Sequence, residues 1–291
     1  MNVVYSKKKS VICSYKTIIM ITFSNAKINI GLNIVSKRSD GYHNLETVYY
    51  PIPIEDSIEI HLNKKQNAPI TLYTYGKKIE GEIADNLIIK VYNLIKKDFD
   101  IPCLNVYLSK NIPSGAGLGG GSSNAAFMLK LLNRHFNLNI PIKKLEKYAK
   151  RLGADCPFFI QNKPVFAQGI GDLFSPIDLD LKDYNVVIIK SDLFISTQKA
   201  FSKVQIQKPK NPLLDCINLP IHKWKKYISN DFENSVFPIY PELKEIKKYL
   251  YESGALFASM SGSGPSIYGI YSKENDLPDF SMFKEHYICK L

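Results

Sequence analysis

The run Pro113-Ser114-Gly115-Ala116-Gly117-Leu118-Gly119-Gly120-Gly121-Ser122-Ser123-Asn124-Ala125-Ala126 constrains this chain more than any other. It gathers five of the chain's 16 glycines into seven residues. Before it, residues 105–110 alternate in polarity and predict a half-buried strand. After it, Ala125, Ala126, Leu129, Leu132 and Phe136 recur at helical spacing. A glycine loop therefore opens straight into a helix N-terminus. That end of a helix carries unpaired N–H groups and a partial positive charge, and both favour a phosphate. Glycine suits the loop because backbone wrapped round an anion needs positive φ angles and no Cβ in the way.

Several common phosphate loops are excluded. The spacing Gly115-x-Gly117-x-x-Gly120 matches the dinucleotide fingerprint, which also requires an acid about 20 residues further on. The first acid after the loop is Glu146. A Walker A loop ends in Gly-Lys-Ser/Thr, whereas Gly121 is followed by Ser122. Neither His-Arg-Asp nor Asp-Phe-Gly follows, which removes the protein kinases. A flexible linker is the bland alternative, but linkers rarely run from a strand directly into a patterned helix.

A net charge of +11 invites a nucleic-acid reading, yet the lysines are scattered along the chain. A basic surface also attracts a nucleotide. Cys13, Cys103, Cys156, Cys216 and Cys289 are widely spaced, without a C-x-x-C pair, which argues against a disulfide framework or zinc site and suits a reducing compartment. No apolar run reaches the roughly 20 residues of a membrane span. Residues 1–19 lack any acid and carry Lys7-Lys8-Lys9. They read either as a start-site artefact, with Met20 the true beginning, or as an organelle transit peptide of the plastid type. The expected location is the cytoplasm.

Hydrophobic spacing predicts strands at 28–35, 47–51, 57–62, 70–75 and 184–190, and helices at 86–97, 142–152, 197–204 and 242–253. Residues 161–164 and 169–171 read as linker, and 208–212 as a polar, proline-containing loop. Strand runs followed by helices, twice over, fit a two-domain α+β architecture. The expected division is a leader at 1–19, an N-terminal domain at 20–163 and a C-terminal domain at 164–291.

Three further positions stand out. Lys27 lies within an otherwise apolar strand, where a lysine wants a carboxylate or phosphate nearby. Asn29 shares its face. Asp155 lies between Gly153 and Pro157, on a constrained turn where a lone aspartate reads as a turn or cap residue. Tyr42 and His43 follow the turn signal Asp40-Gly41 and are expected to be exposed.

The glycine loop resembles the P-x-x-x-G-L-G-S/G-S-S loop of the GHMP kinases, a family that includes galactokinase and homoserine, mevalonate and phosphomevalonate kinases. Four more segments agree, in the family's order. They are residues 25–32, residues 37–47 with Asp40-Gly41-Tyr42-His43, residues 152–159 with Gly153-Ala154-Asp155-Cys156-Pro157-Phe158, and residues 260–266 with Ser261-Gly262-Ser263-Gly264. The Asp-Gly-Tyr-His segment belongs to one branch, whose alcohol substrate carries a cytidine diphosphate group. The resemblance implies a two-domain fold, each domain a mainly antiparallel sheet packed with helices. It implies ATP-dependent phosphorylation, with Mg²⁺, of the 2-hydroxyl of that branch's cytidylylated methylerythritol, in the non-mevalonate route to isoprenoid precursors. Homoserine or mevalonate kinase activity is the nearest rival, and a basic nucleic-acid-binding module the rival from another class. The partner expected is a small molecule rather than nucleic acid or membrane, and the protein itself a monomer or homodimer.

The resemblance also implies roles. Pro113 to Ser123 hold the ATP phosphates, with Ser122 a metal ligand; capping of the helix is the alternative for either serine. Asp155 is the base taking the substrate hydroxyl proton, and Lys27 keeps it ionised and stabilises the transferring phosphoryl group. Tyr42 stacks on the cytosine, His43 reads its edge, and Thr197 and Phe201 supply the opposing hydroxyl and aromatic. Phe201 as plain core stays open. Asn29 contacts the diphosphate or erythritol part, and Gly262 and Gly264 close near the phosphates. Glu46 and Glu55 are candidates for a further metal ligand.

Overall fold

The structure is a computed structural model that describes residues 20–65, 67–201, 203–204, 206, 209 and 211–291. The leader at 1–19 and part of the 208–212 loop lie outside the described residues. In chain order the elements are β1 (Met20–Lys37), β2 (His43–Leu62), β3 (Ile70–Gly76), α1 (Leu87–Asp98), β4 (Leu104–Lys110), α2 (Gly120–His135), α3 (Ile142–Lys150) and α4 (Phe158–Gln161). There follow β5 (Val165–Gln168), β6 (Leu173–Pro176), β7 (Tyr184–Lys190), α5 (Thr197–Phe201), α6 (Leu213–Ile217), α7 (Ile221–Tyr227), α8 (Asp231–Val236) and α9 (Pro241–Glu252). The chain closes with β8 (Phe257–Met260), β9 (Ser266–Ser272) and β10 (His286–Lys290).

Two compact units result. The first gathers residues 20–24, Glu55–Ser114 and Gly120–Gln161. The second gathers Asn25–Ile54, Gly115–Gly119 and Asn162–Leu291. The long strands β1 and β2 contribute residues to both.

In unit 1, β4 pairs antiparallel with residues 57–62 of β2 and parallel with β3, in the register Ile60↔Val106 and Leu72↔Val106. Val106 and Leu108 put one face of this strand into the core, and Ile58 and Ile60 on β2 do the same. Helix α1 begins where the Asn86 side chain accepts the Ile88 N–H at 3.0 Å. It buries Ile88, Val91, Tyr92, Leu94 and Ile95, and packs against α2. Helix α2 buries Ala125, Ala126, Met128, Leu129, Leu131 and Leu132, an apolar stripe at helical spacing.

In unit 2, β7 is a central strand of the antiparallel sheet β10-β7-β9-β8. All five of its inner residues from Asn185 to Ile189 are buried, so its two faces are both covered. Leu32, Ile34, Val187, Ile189, Phe232, Leu243 and Leu250 are among the residues of one apolar cluster there. The hairpin β5-β6 pairs with residues 47–49 of β2.

The structure corrects three sequence expectations. Segments 47–51 and 57–62 are one strand, because residues 52–56 continue in extended conformation. Residues 169–171 are the turn of the β5-β6 hairpin, where Gly169 and Gly171 adopt positive φ. Helix α5 is shorter than 197–204 and spans Thr197–Phe201.

Candidate functional site

The start of the glycine loop rests on a buried polar network in unit 1. Asp56 and Lys110 form an ion pair at 2.5 Å, with their side chains 0% and 3% exposed. Asp56 Oδ1 accepts the N–H groups of Asn111 and Ile112 at 2.7 and 2.8 Å, the two residues immediately before Pro113. Asn124, in the first turns of α2, donates to Asp56 Oδ2 and to the Ser24 hydroxyl, and accepts from Lys110 Nζ at 3.1 Å. One carboxylate thus ties the strand's end and the helix's beginning together. Burial lowers the Lys110 pKa, opposed by the attraction of Asp56.

The helix start itself is polar. Ser123 is fully buried and its hydroxyl has no hydrogen-bond partner. A buried polar atom without a partner is rare and calls for one. Ser122 is exposed. It hydrogen-bonds the Cys156 thiol, which burial pushes up to about 12. Asp155 precedes Cys156 on the turn before α4. Among the described residues no group of three or more His, Cys, Asp or Glu side chains could hold a metal ion. Glu46 instead accepts a hydrogen bond from Gln168 at 3.2 Å.

Unit 1 also holds a cavity of about 270 Å³ lined by Leu72, Thr74, Lys77, Ile83 and Asn86 among others. Its wall is joined to the glycine loop, since Ser114 Oγ donates to the Lys78 carbonyl at 3.5 Å. Sequence reasoning missed this cavity, because its lining comes from a strand end and a turn with no motif.

Unit 2 takes up Gly115 to Gly119. Gly115, Gly117 and Gly119 have φ of 65°, 75° and 72°, the left-handed region that glycine alone enters freely. Lys27 is 3% exposed. Its Nζ donates to Asn29 Oδ1 at 2.5 Å and to the Gly117 carbonyl at 3.1 Å, and its N–H donates to the Leu118 carbonyl at 3.0 Å. The Lys27 ammonium also lies 4.9 Å from the Tyr49 ring centre. Asn29 Nδ2 donates to Thr47 Oγ1. Lys27 and Asn29 thus share a face of β1, as their spacing predicts, and that face meets the glycine loop.

Ser261 and Gly262 lie against the same loop. The Ser261 hydroxyl donates to the Gly117 carbonyl at 2.9 Å and accepts the Asn29 N–H at 3.2 Å. A Cβ on Gly117 would stand 2.0 Å from the Ser261 carbonyl oxygen, and one on Gly262 3.5 Å from Gly117 Cα. Gly264, at φ 83°, closes the turn by donating its N–H to the Ser261 carbonyl.

Tyr42 is 62% exposed on the turn before β2. The His43 ring stacks on Phe201, with centroids 4.8 Å apart and planes at 13°. Phe201 in turn packs edge-on to Phe232, so it bridges the stacked surface and the core. Thr197 Oγ1 shares a hydrogen bond with Ser263 Oγ at 3.3 Å, beside the second glycine turn. Lys27, Asn29, Gly117, Gly262, His43, Phe201 and Thr197 are therefore all residues of unit 2, whereas Ser122, Ser123 and Asp155 belong to unit 1.

A two-unit α+β fold with a glycine loop leading into a helix and a second glycine turn against it is a phosphate-handling architecture. Comparison with known proteins agrees. Residues 86–163 match the family description "GHMP kinases N terminal domain" and residues 219–286 match "GHMP kinases C terminal". A 4-diphosphocytidyl-2-C-methyl-D-erythritol kinase of Bacteroides fragilis (strain YCH46) is 55% identical over 89% of this chain and 94% of its own length. The enzyme of that name from Bacteroides thetaiotaomicron is 53% identical over 89% of this chain and 95% of its own. A solved 4-(cytidine 5'-diphospho)-2C-methyl-D-erythritol kinase superposes with a TM-score of 0.77 at 26% identity, covering 93% of this chain and 98% of that one. The chain belongs to the GHMP kinase family.

Proposed function

We propose that the protein transfers the γ-phosphoryl group of ATP to the 2-hydroxyl of 4-diphosphocytidyl-2-C-methyl-D-erythritol, giving the 2-phosphate and ADP. The reading is carried by the relatives of that name, which match this chain at 55% and 53% identity over nearly their whole length. It is supported by the placement of the exposed Tyr42 and the His43–Phe201 stack, which suit a cytosine ring.

In this reading Gly115 to Gly121 present N–H groups to the ATP phosphates. The cavity joined to Ser114 takes the adenosine. Phosphoryl transfer needs positioning and charge neutralisation more than covalent chemistry. Lys27 supplies a fixed, buried cation for the transferring group and for the base. Asp155 accepts the proton of the 2-hydroxyl as the oxygen attacks phosphorus. Asn29, with Lys27 on its amide oxygen, holds the diphosphate or erythritol part, and Thr197, Gly262 and Gly264 border it. Tyr42 stacks on the base and His43 reads its edge.

Mg²⁺ fits the donors present: ATP phosphates supply most of its oxygens in such sites, so one hydroxyl and water complete the set. The resemblance points to Ser122 as that hydroxyl. Ser123, whose buried hydroxyl has no hydrogen-bond partner, is a second candidate for a phosphate oxygen or the ion. The ion would neutralise charge on the β- and γ-phosphates. The reaction is assigned to the cytoplasm. No helix among the described residues is long and apolar enough to cross a membrane. Nothing supports the plastid-type reading of residues 1–19.

Two variants test the two halves of this assignment. Asp155→Asn keeps the shape and loses the base, so turnover falls by roughly 10²–10⁴-fold with both KM values little changed. Tyr42→Ala removes the stacking ring, so KM for the cytidylylated alcohol rises by roughly tenfold while KM for ATP stays put. Near-normal turnover in the first, or an equal rise in both KM values in the second, contradicts the assignment.

A further inference from the structure

Sequence reading passed over Asn230-Asp231-Phe232-Glu233, which opens α8, yet the structure makes it the back wall of the second glycine turn. Asn230 is 1% exposed. Its Nδ2 donates to two carbonyls of that turn, Met260 O and Gly262 O, both at 2.8 Å. Its Oδ1 caps α8 by accepting the Phe232 N–H at 3.0 Å. Three of the four hydrogen-bonding positions of this amide are thus spent inside the protein. Glu233, 8% exposed, takes the Met260 N–H at 2.9 Å and the Ser259 hydroxyl at 3.1 Å, and is charge-paired with Lys247 at 2.6 Å. Asp231 and Ser229 fasten the same segment to β1, accepting the N–H groups of Ile34 at 2.7 Å and Leu32 at 2.9 Å.

The consequence lies one residue away. With the carbonyls of Met260 and Gly262 held from behind, the intervening Ser261 faces forward. Its carbonyl occupies the space beside Gly117, and its hydroxyl bridges the Gly117 carbonyl and the Asn29 N–H. The other end of Asn29 is fixed as well, since the fully buried Tyr268 hydroxyl donates to its carbonyl at 2.9 Å. The Gly117 carbonyl and the Asn29 side chain also accept from Lys27 Nζ.

We propose that Asn230 and Glu233 are positioning residues for phosphoryl transfer: they hold the 260–264 turn as a template that sets Gly117, Asn29 and Lys27. This rests on the reading of that loop as the phosphate site. Asn230 touches neither substrate nor phosphate; it acts through Ser261.

Asn230→Asp separates this from packing. The side chain keeps its volume, and an aspartate still caps the helix, but it has no hydrogens for the two carbonyls. The measurements are kcat, KM for each substrate and thermal unfolding, on wild type, Asn230→Asp, Asn230→Ala, Ser261→Ala and the double variant Asn230→Ala/Ser261→Ala. The expected result is a fall in kcat on the order of tenfold or more in Asn230→Asp, larger than any rise in KM for the cytidylylated alcohol. Ser261→Ala, a small excision that leaves the fold intact, lowers kcat in the same sense. The double variant loses no more than about the larger single loss, because both act through one element. A lowered melting temperature with unchanged kcat, or losses that simply add, overturns the proposal. Wild type that does not phosphorylate the cytidylylated alcohol overturns the functional reading on which it rests; active wild type with a normal Asn230→Asp overturns this inference alone.

Discussion

At the scale of single residues the account turns on positions where only one side chain works. Gly117 is the clearest. Its φ of 75° disfavours any Cβ, and the place a Cβ would take lies 2.0 Å from the Ser261 carbonyl oxygen. That neighbour is backbone, held where the Ser261 N–H donates to the Ser266 carbonyl at 2.9 Å, and cannot swing aside. Gly117→Ala is therefore expected to push the phosphate loop and the second glycine turn apart. Turnover should fall on the order of a hundredfold, checked by steady-state kinetics on protein whose far-UV circular dichroism is unchanged. Turnover within about twofold of wild type would show that this contact does not shape the loop. Lys27 is legible for the opposite reason: a lysine in an apolar strand must find partners, and it finds the Asn29 amide and the Gly117 carbonyl.

Elements place these residues, and here the sequence is less transparent. The strand-loop-helix unit around residues 104–135 could be read from alternation, glycine and helical spacing, because each signal is local. The network beneath it could not. Asp56, Lys110 and Asn124 come from two strands and a helix, and each alone looks like an ordinary polar residue at an element's edge. Only the pairing of β2 with β4 brings Asp56 beneath the loop's first N–H groups. Removing one partner of such a buried pair leaves an uncompensated charge, so Asp56→Ala should cost about 3–5 kcal/mol of stability. Urea unfolding measures this, and a loss under about 1 kcal/mol would mean water replaces the carboxylate without penalty. Strands β5, β6 and β8 were missed for a plainer reason. Four residues each are too few to show a period, and the turn glycines between β5 and β6 read as linker. Asn230 and Glu233 escaped notice because their importance lies in which carbonyls and N–H groups they face, which no spacing encodes.

For the molecule as a whole, the two units are not consecutive halves of the chain. Residues 25–54 and 115–119 belong with the C-terminal unit, so the glycine loop itself is divided between units, with Gly115–Gly119 in one and Gly120–Ser123 in the other. Five ordered motifs made the family and the two-part α+β fold readable, since each motif is a close-approach or turn sequence with few alternatives. The interleaving was not readable, because it depends on long-range pairing such as Leu32 with Asn230. In the proposed function the molecule joins a phosphate loop to a grip for a cytosine base. The most direct test is a coupled ADP-release assay with 4-diphosphocytidyl-2-C-methyl-D-erythritol, methylerythritol lacking the cytidine diphosphate group, homoserine and mevalonate as acceptors. Rapid ADP release with the cytidylylated alcohol alone is the predicted result. Equal turnover of methylerythritol without that group, or preference for homoserine or mevalonate, would contradict it.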